Sequence, residues 1–173
     1  TDAQRVFELT QAAGPGDAFA RTPRVQQRKT LATFRFGVPR REQWEFFGDA
    51  HAPPLFEHSI ERLRAIGGTP VEIDFAPFRA AGDLLYDGPW VAERHAGLKD
   101  FLKQYAYALH PVTRMVLTDA DRYSAVDAFE ALYRLRRLEQ DTRSAWHDMD
   151  VLLVPATGTI FSIDQVLADP LAL

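Results

Sequence analysis

The fold is decided by a short stretch that reads Gly67-Gly68-Thr69-Pro70-Val71-Glu72-Ile73-Asp74-Phe75. Adjacent glycines typically end a helix, and the residues before them carry apolar side chains at helical spacing: Leu55, Ile60, Leu63 and Ile66. After the glycines, Val71, Ile73 and Phe75 alternate with other residues, so they share one face of a strand. The stretch therefore predicts a helix, a tight stop and a strand, which together form an αβ unit.

The segments on either side of this unit continue the alternation of strands and helices. Upstream, residues 31–39 alternate aromatic and polar side chains and end in a proline, which predicts a strand with one buried face. Downstream, residues 77–86 and 89–107 predict two helices. They are separated at Gly88-Pro89, because proline lacks an N–H and disfavours helical geometry in the residue before it.

Three further segments complete the second half of the chain. Residues 109–118 leave two structures open, a short strand or an extended packed loop. Residues 123–147 are the longest periodic run and predict an amphipathic helix capped by Asp121 or Ser124. Residues 149–155 predict a wholly buried strand. Strands that alternate with long helices favour an α/β fold, in which helices pack on a sheet that includes parallel pairs.

The amino-terminal segment is less informative. A short helix capped by Thr1 or Asp2 is expected to end at residues 12–16. Residues 17–30 are polar and basic, which predicts a solvated connection and leaves an anion-binding loop as the alternative. The basic side chains of this run are Arg21, Arg24, Arg28 and Lys29.

Composition limits the possible functions. A chain of 173 residues with 46% hydrophobic content can bury one domain core. The net charge of -4 gives no basic surface for nucleic acid or for an anionic membrane. The absence of cysteine excludes disulfides, thiolate metal sites and a cysteine nucleophile within the chain. A start without methionine and an end at Leu173 indicate a piece of a longer polypeptide, and a cytoplasmic location is compatible with the composition.

No motif in the chain supports catalysis by itself. None of the four serines lies in a Gly-x-Ser-x-Gly turn, and the three lysines lie in polar contexts without a serine partner. The five histidines lack the spacing of a helical zinc pair, and no phosphate loop or dinucleotide fingerprint is present. We therefore predict no catalytic residue, no metal site and no cofactor.

The break at Gly88-Pro89 lies inside a cluster of chemically useful side chains. Tyr86 precedes the break and Arg94 follows it, with Trp90 between them. An arginine offers a fork of donors that fits a carboxylate, and a tyrosine hydroxyl adds one oriented hydrogen bond. The cluster suits a small, planar, anionic ligand. A helix start with an aromatic core residue and a surface ion pair would give the same residue types.

Several motifs together resemble the allophanate hydrolases of the amidase signature family. The first group is Phe36-Gly37-Val38-Pro39, Glu45-Phe46-Phe47-Gly48-Asp49, residues 67–75 and residues 84–94. The second group is Pro111-Val112-Thr113-Arg114, Ser124-Ala125-Val126-Asp127-Ala128-Phe129 and Pro155-Ala156-Thr157-Gly158-Thr159-Ile160. The resemblance spans nearly the whole chain.

The resemblance implies a fold and an activity. Allophanate hydrolases cleave allophanate, a carboxylated urea, to ammonia and carbon dioxide. They use a serine, cis-serine, lysine triad on a mixed sheet with helices on both sides. The glycine-serine-rich loop of that triad is not in this sequence, so residues 1–173 are expected to be a partial amidase domain, its downstream, substrate-binding half, truncated at both ends. Alone, this half is expected to hydrolyse nothing.

The resemblance also implies a site. In this family a tyrosine and an arginine eight residues later hold the substrate, and Tyr86 and Arg94 stand at that spacing. Arg94 would pair with the carboxylate of allophanate and Tyr86 would bond its ureido part. The family has an aromatic residue after the arginine, whereas this chain has His95, which could alter the pocket wall. A homodimer of the full-length protein and a pathway link to a urea carboxylase are implied as well.

Two rival hypotheses remain beside the allophanate-hydrolase-like amidase. The same scaffold could belong to another amidase-signature enzyme that hydrolyses a different amide. Alternatively, the chain could be a non-catalytic module that binds a small carboxylate or a partner surface. The allophanate-hydrolase-like amidase would require a carboxylate in its substrate, whereas an amidase for a different amide would not. Any catalytic activity would distinguish both enzymes from the non-catalytic module.

Overall fold

The computed structural model describes residues 1–11, 16–21 and 32–170. The chain divides into two compact units, Thr1–Ala32 and Thr33–Leu173. In the first unit, helix α1 spans Asp2–Thr10, and the Thr1 hydroxyl caps it by accepting the N–H of Gln4, as the sequence predicted. Arg21 of the basic run is exposed, whereas Arg24, Arg28 and Lys29 lie outside the described residues.

The second unit contains three strands and seven helices in the part of the chain that the structure describes. The strands are β1 (Phe34–Pro39), β2 (Gly68–Ile73) and β3 (Val151–Leu152). The helices are α2 (Ala52–Ala65), α3 (Ala76–Asp87), α4 (Trp90–Tyr105), α5 (Pro111–Thr118), α6 (Ala125–Thr142), α7 (Ala145–Asp148) and α8 (Ile163–Ala168). Short 3-10 turns occupy Arg41–Gln43, Ala106–Ala108 and Asp119–Arg122.

The three strands form one parallel sheet in the order β2-β1-β3. Strand β1 pairs with β2 from Phe34 opposite Gly68 to Pro39 opposite Ile73, and α2 connects the two strands. This βαβ unit confirms the predicted α/β class with parallel pairs. All described strands are parallel, so the mixed sheet of the amidase signature fold stays a prediction.

The core lies between the sheet and α2. Phe36 is completely buried, and Val38, Phe46 and Phe56 are buried against it. Trp44 packs edge-on to Phe56 with 4.9 Å between the ring centroids, which is the preferred geometry for an aromatic pair. Trp44 and Phe46, which follow β1 in the chain, are therefore part of the core of the βαβ unit.

The apolar stripe of α2 differs from the prediction. Phe56 faces the sheet together with Ile60 and Leu63, whereas Leu55 and Ile66 are exposed. Positions four and seven residues after Phe56 lie on the same helix face, so one aromatic residue sets the buried stripe. The predicted helix end is confirmed, because Gly67 adopts the left-handed region with a φ of 96° directly after the helix.

Two strand predictions are corrected by the position of each strand in the sheet. Strand β1 was expected to bury one face, but all residues from Phe36 to Pro39 are buried because β1 lies in the centre of the sheet. Residues 149–155 were expected to form a wholly buried strand, but only Val151–Leu152 is a strand and Val151 is 45% exposed. Strand β3 pairs with β1 alone among the described strands, so its other edge has no strand beside it.

The segment at residues 109–118 is a helix, which neither expected alternative allowed. Helix α5 begins at Pro111, with His110 as the residue that precedes it in extended geometry. Proline suits the first turn of a helix, where its missing N–H would have no partner. The β-branched run after Pro111 favours a strand by propensity, and packing against α4 overrides that preference.

The start of the long helix α6 agrees with the sequence prediction, and its end comes earlier than predicted, at Thr142. Ser124 caps helix α6: its hydroxyl accepts the N–H of Asp127, while the Asp127 carboxylate accepts the N–H of Ser124. Of the two predicted caps, Ser124 is therefore correct and Asp121 lies in the preceding turn. No helix in the described ranges is both long enough and apolar enough to cross a membrane.

A carboxylate ties β3 to the central strand. The Asp150 carboxylate accepts the backbone N–H of Arg35 at 2.7 Å, and the Arg35 guanidinium lies 3.6 Å from its other oxygen. The backbone hydrogen bond is the main reason that the pKa of Asp150 lies below the usual aspartate value of 3.8. The fold thus favours the charged form of this residue.

Acid is expected to weaken this link. Because the pKa of Asp150 is lower in the folded than in the unfolded chain, its contribution to stability is present above about pH 4 and is lost as the pH falls through the folded pKa. We expect the urea concentration at the unfolding midpoint to decrease as the pH is lowered through that acidic range. In an Asp150→Asn variant this decrease with pH should be less steep. Identical slopes for the two proteins would contradict this assignment.

Candidate functional site

A tight break between α3 and α4 brings the two predicted site residues together. Helix α3 ends at Asp87, Gly88 is extended, and Pro89 caps α4. A Cβ on Gly88 would overlap the backbone carbonyl oxygen of Leu84 and would lie 3.3 Å from the Trp90 ring. Only glycine fits this close approach, and the resulting turn places the last turn of α3 beside the first turns of α4.

Tyr86 and Arg94 line one surface cleft of about 620 Å³. The walls come from the end of α3, from α4, from α5 and from the turn Asp119–Arg122. The lining residues are Tyr86, Val91, Arg94, Met115, Val116, Thr118, Asp119 and Arg122. Val91 and Leu117 are buried beneath this surface, so packing between α4 and α5 fixes the base of the cleft.

Arg94 is only partly satisfied by the protein. Its Nη2 donates to the carbonyl oxygen of Leu85 at 3.0 Å. Its Nε is buried and has no hydrogen-bond partner among the described residues, and no described carboxylate forms an ion pair with it. The cleft is therefore lined by a guanidinium whose charge no described carboxylate offsets.

The Tyr86 side chain projects away from the core. It is 76% exposed, and its hydroxyl makes no hydrogen bond within the described part of the chain. A plain aromatic core residue beside a surface ion pair is therefore not what the structure shows. Because the side chain is exposed and lines the cleft, the hydroxyl is accessible to a ligand there.

Sequence reasoning missed a second guanidinium in the cleft, that of Arg122. Its Nε lies 3.2 Å from the Asp119 carboxylate, and its Cζ lies 4.7 Å above the Tyr123 ring. Its Nη2 donates to the Tyr123 hydroxyl at 2.6 Å. The hydrogen bond to Tyr123, followed by the charge of Asp119, raises the pKa of Arg122, which remains a cation. No local motif points to Arg122, because only the packing of α4 against α5 brings it near Arg94.

His95 lies outside the lining of the cleft. Its Nδ1 is 3.1 Å from the carbonyl oxygen of Leu117, near the end of α5. The histidine thus connects α4 with α5 from within the protein. Its expected effect on the pocket wall is therefore indirect, through the position of α5.

The described residues of the cleft include no activated nucleophile. Ser124 and Ser162 cap α6 and α8, while Ser59 and Ser144 donate to backbone carbonyls of Leu55 and Asp141. The Thr118 hydroxyl lies in the cleft but donates to carbonyls of its own helix. Within the described ranges, no group of three or more metal-binding side chains is assembled either. The chemistry of the cleft, a guanidinium beside an accessible phenol, suits a small anion.

Comparison with known proteins gives one consistent set of relatives. No protein-family model matches the chain. It is 30% identical to urea amidolyase of Saccharomyces cerevisiae and 31% identical to urea amidolyase of Lachancea kluyveri, over 98% of the chain in both cases. It spans only 9% of the length of each of these proteins.

The solved structures agree with these relatives. Selenomethionine-substituted allophanate hydrolase of Kluyveromyces lactis superposes with a TM-score of 0.90 at 25% identity. The match covers 99% of this chain and 28% of that structure. The likeness therefore includes nearly every element described above, and it corresponds to a part of the larger protein.

Proposed function

Because this chain is related to allophanate hydrolase and urea amidolyase, we propose that residues 1–173 form the substrate-binding half of an amidase domain that hydrolyses allophanate. In this proposal, Arg94 binds the substrate carboxylate and Tyr86 bonds the ureido part. The single observation that carries the proposal is the Arg94 guanidinium, which has no carboxylate partner in the described structure and lines one cleft with Tyr86.

The chemistry of allophanate fits this arrangement. The substrate is planar and carries a carboxylate at one end and an amide at the other. A guanidinium can donate two parallel hydrogen bonds to a carboxylate, and this charge-assisted pairing is stronger than bonds between neutral groups. The Arg122 charge is already offset by Asp119 at 3.2 Å, so Arg94 is the cation best placed to bind an anion.

Catalysis in this proposal depends on residues outside the chain. A serine, cis-serine, lysine segment of the full-length protein supplies the nucleophile and completes a mixed amidase-signature sheet, and residues 1–173 alone are inactive. We further propose a cytoplasmic, homodimeric full-length protein that acts after a urea carboxylase. The resemblance to urea amidolyase supports the pathway link.

The test is a comparison of two substrates in the full-length protein that carries this sequence. Biuret has the shape of allophanate but an amide in place of the carboxylate. We expect ammonia release from allophanate, and a kcat/KM for biuret at least about a hundredfold lower, since a site built for a charged partner rejects a neutral analogue. Equal use of biuret would favour another amide hydrolase. No ammonia from any amide would favour a carboxylate-binding module.

A further inference from the structure

The carbonyl groups in the last turn of α3 need hydrogen-bond donors from elsewhere, because the helix ends before a glycine and a proline. Gly88 is extended and Pro89 has no N–H, so the helical ladder does not continue, and the backbone hydrogen bonds of the described turns and caps include none to the carbonyls of Leu85 and Asp87. Two of these carbonyls belong to Leu85 and Asp87, the residues on either side of Tyr86. Their hydrogen-bond partners therefore control where Tyr86 stands.

Side chains from two different elements satisfy these two carbonyls. Arg94 of α4 donates to the Leu85 oxygen at 3.0 Å. The Tyr123 hydroxyl, from the residue just before α6, donates to the Asp87 oxygen at 3.2 Å. The peptide groups around Tyr86 are thus held from both sides, once by the arginine of the cleft and once by a tyrosine outside it.

Tyr123 is itself held in place by a cation. Arg122 donates to its hydroxyl at 2.6 Å and stacks above its ring at 4.7 Å. Asp119 fixes the guanidinium at 3.2 Å. A hydroxyl that accepts a hydrogen bond from a cation becomes a stronger donor, so this chain of contacts strengthens the bond from Tyr123 to Asp87.

We propose that Tyr123 is a positioning residue, which Arg122 supports, and that it keeps Tyr86 in place opposite Arg94. The proposal rests on the proposed function. Tyr123 is not part of the cleft that contains Tyr86 and Arg94. It lines the neighbouring cleft of about 530 Å³ on the other side of the break, together with Asp87 and Gly88. A substrate held between Tyr86 and Arg94 is therefore out of its reach, and Tyr123 acts through α3.

The first experiment is a Tyr123→Phe substitution in the full-length protein, with allophanate as substrate. This variant keeps the ring under Arg122 but removes the hydrogen bond to Asp87. We expect KM to rise about three- to tenfold with kcat within about twofold, the range for one lost hydrogen bond. The control is Tyr107→Phe, because Tyr107 is exposed and its hydroxyl has no hydrogen-bond partner in the described ranges. A KM equal to that of the control would overturn the proposal.

A double-mutant cycle tests whether Tyr123 acts through Tyr86. If it does, Tyr123→Phe should raise KM in the parent protein but add little in a Tyr86→Phe background. Fully additive effects would overturn the proposal. Tyr123→Leu serves as the second variant if Tyr123→Phe does not fold, because it also removes the donor to the Asp87 carbonyl and leaves the residues of the cleft unchanged, with the same expected dependence on Tyr86.

The two proposals fail in different ways. Failure of the proposed function would appear in the parent protein, as absent turnover of allophanate or indifference to its carboxylate. Failure of the positioning role would appear only in the variants: the parent would discriminate allophanate from biuret, and Tyr123→Phe would have the same KM for allophanate as the parent. A loss of kcat with unchanged KM would also overturn it, since that pattern indicates general damage to the fold rather than a displaced binding residue.

Discussion

Replacement of Arg94 by alanine in the full-length protein is expected to lower kcat/KM for allophanate about 100- to 1,000-fold. The guanidinium is the cation of the cleft that no described carboxylate neutralises, and its Nε has no acceptor in the described structure. Loss of a charge-assisted, two-point contact to a carboxylate removes several kcal/mol of binding. The measurement is the initial rate of ammonia release over a range of allophanate concentrations.

Two comparisons make this prediction specific. Arg94→Lys keeps a positive charge but loses the planar fork, so its kcat/KM should lie between those of the parent and the alanine variant. Arg62→Ala provides the control, because Arg62 is an exposed residue of α2, and no residue of α2 lines the cleft. The alanine variant at position 94 should also lose its preference for allophanate over biuret. Unchanged turnover of allophanate in Arg94→Ala would sink the assignment of the site.

Most of the element order follows from local signals that dominate their surroundings. The φ of Gly67 and the capping box at Ser124 are backbone requirements that few residues satisfy, so the sequence states them directly. The break at Gly88 is of the same kind. The predictions were wrong where the structure depends on the arrangement of the sheet. The burial of β1 and the length of β3 depend on which strands lie beside them, and the sequence of either segment does not show its neighbours.

Residue spacing alone misjudged two helices for related reasons. In α2, Leu55 and Phe56 both fit an apolar stripe, and contact with Phe36 selects Phe56. In α5, the sequence left a short strand or an extended loop open, whereas the start at Pro111 and the contact with α4 produce a helix. Periodicity in each case allowed more than one solution, and tertiary packing removed the ambiguity.

The site shows the same division between local and distant information. Tyr86 and Arg94 could be named from sequence because a family resemblance and a short spacing connect them across one break. Arg122 and Tyr123 carry no such signal: the ion pair of Arg122 with Asp119 is local and common, and the hydrogen bond of Tyr123 to the carbonyl of Asp87 joins residues far apart in the chain. Tyr86 and Arg94 could therefore be predicted as a candidate pair, whereas Arg122 and Tyr123 could not.

Replacement of Gly88 by alanine is expected to disturb the site without touching any proposed ligand contact. The new methyl group would overlap the Leu84 carbonyl oxygen, a backbone atom that cannot rotate away, so α3 and α4 must move apart. We expect a loss of stability of about 1–3 kcal/mol, which is typical of overpacking. A displacement of Tyr86 from Arg94 by about 1 Å is expected to lower kcat/KM about ten- to a hundredfold.

Gly82→Ala is the matched control, because the same change is made in the same helix at a position with open space around it. A Cβ on Gly82 would meet no atom within 4 Å, and alanine in a helix interior is more stable than glycine by about 0.5–1 kcal/mol. We therefore expect Gly82→Ala to unfold at a slightly higher temperature with unchanged KM, and Gly88→Ala to unfold at a lower temperature with a raised KM. If Gly88→Ala retained the parent KM, the geometry of the break would not control the separation of Tyr86 and Arg94, and the cleft would have to be held by α4 and α5 alone.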